Sequence, residues 1–272
     1  MLFQRVVTAL LLLPLVLGPI LFLPTPWVYG LFSIIGLLAA WEWSALMGLQ
    51  TARSRYGYVA LVAVVLSGGW ILHSRFGLGI WILVAGALWW GNALSLVAGF
   101  PENLRNRPWG VMKFGLAGLL MLAPALLGLA KLHGANHGVW RIFFLFGLVW
   151  AADIGAYFAG RAFGRRKLAP DVSPGKTIEG AIGGFIGAML IVATAPWVFG
   201  FGRFDWLPLV LLCIVVIGMS IVGDLTESLF KRYRGVKDSG TLLPGHGGVL
   251  DRVDSLLAAA PVLALGLQLL GI

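Results

Sequence analysis

The 272-residue sequence contains one cysteine, Cys213, so no disulfide can form within the chain and no cysteine-based metal site can be built. Charge is scarce as well, with 11% of residues charged against 59% hydrophobic. So few charges cannot clothe a water-facing surface, and a mean hydropathy of +0.92 excludes a soluble globular domain. Long polar linkers, low-complexity tracts and a convincing internal repeat are also missing, which leaves one membrane domain. Acidic residues are almost absent from the first half. Only Glu42 and Glu102 precede Asp153, and nine of the eleven lie at or after it.

What is present fits a polytopic membrane protein: 38 glycines that let helices approach closely, and 12 tryptophans suited to the lipid–water boundary. The formal charge of +9 favours anionic partners, and with so little soluble chain these are lipid and nucleotide phosphates rather than nucleic acid. A span needs about 20 apolar residues. Nine such runs are expected, near 6–24, 27–48, 57–73, 78–98, 110–131, 138–159, 180–201, 205–225 and 253–271. The fold expected is an all-α polytopic membrane protein of about nine transmembrane helices. Residues 1–137 form an apolar half of about five spans, and residues 138–272 a catalytic half of about four, with loops 160–179 and 226–252. The first apolar run, after Arg5, is read as an uncleaved span because Pro14, Pro19, Pro24 and Pro26 crowd it and no clean cleavage site follows. A cytoplasmic N-terminus places sixteen Lys and Arg inside and only Arg75, Lys131, Arg141 and Arg203 outside. Both catalytic loops then face the cytoplasm and the C-terminus faces out.

Residues 228–254 carry the densest chemistry. Asp224 and Glu227 close span eight at an i, i+3 spacing, and Asp251 and Asp254 open span nine at the same spacing, so each pair projects from one helix face. Oxygen-only ligands of this kind suit Mg²⁺. Lys231, Arg232, Arg234, Lys237 and Arg252 surround a turn made by Gly245, His246, Gly247 and Gly248, whose N–H groups can approach a phosphate. The plainer alternative makes the cations positive-inside anchors and the aspartates helix caps.

A second cluster joins Asp153, Tyr157, Arg161, Arg165, Arg166 and Lys167 to the stretch from Ser173 through Lys176 to Gly180. Asp153 lies in an apolar run and is expected to meet a cation or polar partner. Gly175-Lys176-Thr177 resembles the end of a P-loop, but Pro170 stands where its first glycine belongs. Ser173 and Thr177 are instead candidate caps of the next helix. His133 and His137 have an i, i+4 spacing, but too few ligands accompany them for a zinc site.

The elements Ser228, Lys231-Arg232, Lys237-Asp238, His246-Gly247-Gly248 and Asp251-Arg252-Val253-Asp254 closely resemble the signature of the phosphatidate cytidylyltransferases, the CDP-diacylglycerol synthases. Upstream, the Asp153-Ile-Gly-Ala-Tyr-Phe run and the Ser173-Pro174, Lys176-Thr177 and Glu179-Gly180 positions also resemble family motifs, with a departure at Gly175, where a second lysine is common. The resemblance covers roughly the second half of the chain. It implies cytidylyl transfer from CTP to phosphatidic acid with Mg²⁺, in a multi-pass protein of the cell (inner) membrane whose partners include membrane lipids, and it leaves a homodimer open. On this reading Asp224, Lys237, Asp251 and Arg252 are catalytic, and Asp224, Asp251 and Asp254 hold the metal. Arg165, Lys176, Ser228, Lys231, Arg232, His246, Gly247 and Gly248 bind substrate. The rival is a transporter of an anionic solute, which predicts midplane charges in both halves and repeat symmetry, neither of which the sequence carries.

Overall fold

The computed structural model describes residues 2–199, 206–243, 245 and 247–272, without the side chains of residues 2–9 and 11. The helices are α1 (Leu2–Phe22), α2 (Thr25–Leu46), α3 (Ala52–Phe76), α4 (Gly79–Ala98), α5 (Glu102–Asn106), α6 (Val111–Gly134), α7 (Gly138–Phe163), α8 (Ile178–Val192), α9 (Ala195–Phe199), α10 (Trp206–Tyr233) and α11 (Leu250–Leu269). Between α7 and α8 an antiparallel hairpin pairs β1 (Lys167–Ala169) with β2 (Ser173–Thr177). Among the described residues, six helices are long and apolar enough to cross a membrane: α2, α3, α4, α6, α7 and α10. Large apolar side chains such as Trp81, Leu88, Ile186 and Leu190 stand exposed around the bundle, as suits a multi-pass protein with lipid as its outer solvent.

Local chemistry sets the breaks. Proline at the start of α2 needs no helical N–H donor there and separates it from α1. Thr51 caps α3 by accepting from Ser54 N at 3.2 Å. Thr177, the last residue of β2, caps α8 by accepting from Gly180 N at 3.1 Å, whereas Ser173 lies at the start of β2.

Three expectations need correction. The run 180–201 is not one helix: α8 ends at Val192, because Pro196 has no N–H to give to a preceding carbonyl, and α9 follows as a separate short turn. The loop 160–179 begins as the end of α7 and contains the short β-hairpin, within a fold that is otherwise a helical bundle among the described residues. The loop 226–252 begins as helix, because α10 continues to Tyr233 and ranges Ser228, Lys231 and Arg232 along it.

α6 is buried along most of its length and packs against α2, α4 and α11. At one end of the bundle His133 Nδ1 meets Thr25 Oγ1 at 3.0 Å and Nε2 meets the Ile20 carbonyl at 3.0 Å, which occupies both ring nitrogens. Lys131 donates to Gln268 there, and Arg141 to the Ile272 carbonyl. The opposite end gathers the close of α2, the loop before α6, the hairpin after α7, the end of α10 and the start of α11. There Tyr233 OH accepts from Trp109 N at 3.1 Å, and Arg234 donates to the carbonyls of Leu46 and Met47.

Candidate active site

α10 and α11 lie side by side. At Gly223 an added Cβ would stand 2.5 Å from the Asp254 carbonyl, so glycine permits the close approach that brings Asp254 toward Asp224. Lys231 on α10 bridges the two helices, donating to Glu227 Oε2 and Asp251 Oδ1, both at 2.7 Å. Asp251 also accepts from Gly248 N at 2.8 Å and from Ser239 N at 3.2 Å. Its carboxylate is thus engaged by donors on several sides. Glu227 is 1% exposed on its side chain, and its Oε1 is buried without a hydrogen-bond partner. Asp254 Oδ1 accepts from Ser255 N at 2.7 Å. Asp254 also feels the charges of Asp224 and Glu227.

Adjoining this cluster is a pocket of about 440 Å³ between α7, the hairpin, α8 and α10. Lys176, on β2, forms an ion pair with Asp224 inside it. Ser228 Oγ donates to Asp224 Oδ1 at 3.4 Å, a long contact. Asp153 lines the pocket and faces the charges of both Asp224 and Lys176, while Arg161 donates to Tyr157 OH at 3.3 Å. Among the described residues, Asp153, Asp224, Glu227, Asp251 and Asp254 lie around two lysines, Lys176 and Lys231.

The hairpin is held at its base by Glu179, ahead of the apolar stretch that starts at Gly180. It accepts from the backbone N–H groups of Arg165 and Arg166 at 3.0 and 3.1 Å. Those N–H groups, that of Arg165 foremost, hold the Glu179 carboxyl down at about 2. Arg232 reaches across from α10 and donates to the Val172 carbonyl at 3.4 Å, tying the hairpin turn to the helix.

The sequence-predicted residues therefore fall into three groups. Asp224, Ser228 and Lys176 meet at the pocket, and Lys231, Asp251 and Gly248 meet at the α10–α11 junction, with Asp254 between. Lys237, Arg165 and Arg252 have exposed side chains at the same end, and Arg232 braces the hairpin. Gly247 has φ +84° and its carbonyl accepts from Leu243 N at 2.9 Å, a left-handed turn that suits glycine. His246 lies outside the described residues.

Sequence reasoning missed Glu42. This residue of α2 is 2% exposed and sits under the loop that joins α10 to α11, accepting from Val249 N at 3.0 Å, Leu250 N at 2.8 Å and Ser239 Oγ at 3.1 Å. The available signal was a carboxylate in an apolar run of the otherwise acid-poor first half, since such residues are costly and rarely idle.

Residues 3–270 match the model of the cytidylyltransferase family. Three proteins named phosphatidate cytidylyltransferase resemble the chain over nearly its whole length. That of Pseudomonas aeruginosa is 44% identical over 266 residues, covering 97% of this chain and 96% of its own. That of Haemophilus influenzae is 40% identical, covering 96% of each. That of Brucella suis is 42% identical, covering 96% of this chain and 91% of its own.

Proposed function

The chain belongs to the cytidylyltransferase family, and we propose on that premise that it transfers the cytidylyl group of CTP to phosphatidic acid, giving CDP-diacylglycerol and pyrophosphate in phospholipid biosynthesis. Likeness to phosphatidate cytidylyltransferases over nearly the full length of both chains carries the reading. The pocket is consistent with it: Lys176 stands there beside Asp153 and Asp224, so a substrate phosphate would find one fixed cation and would need a divalent cation to offset the carboxylates.

The phosphate of phosphatidate is already ionised near neutral pH, so its oxygen can attack the α-phosphorus of CTP with little need of a general base. What remains for the chain is alignment and charge balance. Lys176 exchanges its partner Asp224 for a substrate phosphate, with Arg165 near the same loop. Lys231, Arg232, Lys237 and Arg252 supply further countercharge around the nucleotide's phosphates, and Ser228 steadies Asp224. Gly247, in its left-handed turn, lets the loop backbone come close to a phosphate.

The residues also fit Mg²⁺. The donor set is all carboxylate oxygen, Glu227 Oε1 is an orphaned buried acceptor, and the acidic groups outnumber their cations. Magnesium commonly takes one or two carboxylates and completes its shell with water and substrate phosphates. Asp224 and Asp254 are the proposed ligands. Asp251, engaged by Lys231, Gly248 and Ser239, is assigned instead to holding that lysine and the loop. When bound, the ion would screen the developing charge on the phosphates.

The test follows the atoms. Label on the α-phosphorus of CTP should enter the organic phase only with phosphatidic acid and Mg²⁺ present, and label on the γ-phosphorus should never do so. γ-Label in lipid would make the protein a phosphotransferase of another kind. Absence of both labels with folded protein would favour the anion-transporter reading.

We further infer nine crossings of the inner membrane with this end of the bundle in the cytoplasm. Support comes from the charge distribution, since Lys176, Lys231, Arg232 and Arg234 gather at this end while Lys131 and Arg141 lie at the other. Cysteines at the exposed positions 171 and 238, on a Cys213→Ser background, should resist a membrane-impermeant thiol reagent in intact cells and react after permeabilisation. Labelling in intact cells would reverse the orientation.

A further inference from the structure

We propose that Glu42 is a positioning residue that locks the loop between α10 and α11 into its working shape. The proposal rests on the functional reading above, because that loop carries Lys237 and the His246-Gly247-Gly248 turn.

α11 has no capping side chain of its own: Val249 stands at its N-cap and makes no side-chain hydrogen bond. The first N–H groups of a helix need acceptors. Glu42 supplies them from another helix, with one oxygen accepting from Val249 N and the other from Leu250 N and Ser239 Oγ. Its negative charge at a helix N-terminus adds favourable electrostatics. On the other side of the same loop stem, Asp251 accepts from the backbone N–H groups of Ser239 and Gly248. Two carboxylates, one from the acid-poor half and one from α11, thereby draw positions 239 and 248 together and fix the base of the intervening turn.

The fit around Glu42 is close. A Cβ on Gly240 would lie 2.7 Å from Glu42 Cδ and 2.8 Å from its Cγ, and one on Gly248 would lie 2.6 Å from Oε2. The three heavy atoms nearest to such a Cβ at Gly240 all belong to Glu42, so the clash there falls first on this side chain. Glu42 does not line the pocket, and its hydrogen bonds run to the loop and to the start of α11.

The experiment uses the full chain in detergent, comparing Glu42→Gln, Glu42→Ala, Gly240→Ala and the double variant Glu42→Ala/Gly240→Ala. Three quantities are read: CDP-lipid formation as kcat and KM for CTP, the rate of tryptic cleavage after Lys237, and the thermal unfolding midpoint. Glu42→Gln keeps the side chain's shape but turns an N–H donor toward the loop's own donors. It should lower kcat about tenfold or more and accelerate cleavage after Lys237 about tenfold, with the unfolding midpoint little changed. Gly240→Ala should loosen the loop in the otherwise unaltered protein and add nothing in the Glu42→Ala background. The proposal is overturned if Glu42→Gln retains both turnover and loop protection, if lost activity merely tracks lost folded protein, or if Gly240→Ala costs the same in both backgrounds. Should the unaltered protein form no CDP-lipid, the functional reading fails, while the cleavage rates and the Gly240 coupling still decide whether Glu42 fixes the loop.

Discussion

Asp224→Asn is expected to lower turnover by about a hundredfold or more and to leave the protein folded in the membrane. Asp224 is the residue at which the two parts of the site touch: it pairs with Lys176 in the pocket, accepts from Ser228, and lies against the charges of Asp153 and Asp254. Asparagine keeps the size and removes the charge. Lys176 then loses its partner before substrate arrives, and the proposed pair of Mg²⁺ ligands loses a member. The Mg²⁺ concentration for half-maximal rate should therefore rise about tenfold, with partial recovery of rate at high Mg²⁺. Measured turnover against Mg²⁺ concentration decides it. An unchanged half-saturation would remove Asp224 from the metal site, and an unchanged rate would remove it from the reaction.

Asp251→Asn should be equally damaging by a different route, and high Mg²⁺ should not restore it. The Asp251 carboxylate receives Lys231 Nζ at 2.7 Å together with the N–H groups of Gly248 and Ser239. An amide can satisfy part of this set, but its NH₂ must face donors and its charge no longer balances Lys231. A simple helix cap would cost about 1 kcal/mol, too little to stop an enzyme. Loss of the charge that holds Lys231 between the two helices, and of one anchor of the loop stem, is expected to reduce turnover about a hundredfold. Recovery at high Mg²⁺ would show that Asp251 binds the ion after all, while near-normal turnover at the Mg²⁺ concentration used for the unaltered protein would leave it a cap.

Much of this was legible along the chain. Long apolar runs dictate helices in lipid, because backbone polar groups there have to be satisfied internally, and most of the expected runs fall on helices, six of which among the described residues are long and apolar enough to cross a membrane. The i, i+3 pairs Asp224/Glu227 and Asp251/Asp254 follow from helical spacing, and the density of polar residues from Ser228 to Asp254 marks where the chemistry lies. Spacing within a segment is a local property, so a sequence can display it.

Tertiary structure decided what distant segments do to one another. Nothing in the order of residues says that Lys231 would reach across to Asp251, that Lys176 would reach from a hairpin to Asp224, or that Glu42 would cap α11 from more than 200 positions upstream. Partner choice depends on which helix faces pack and how closely, as at Gly223 against Asp254 and at Gly240 against Glu42. The break between α8 and α9 was present as Pro196, yet hydropathy outweighed it in the sequence because apolar character does not register the loss of a single backbone N–H. Composition and spacing are fixed by the chain itself, whereas the pairing of charges is fixed by distances in space that exist only once the helices have packed.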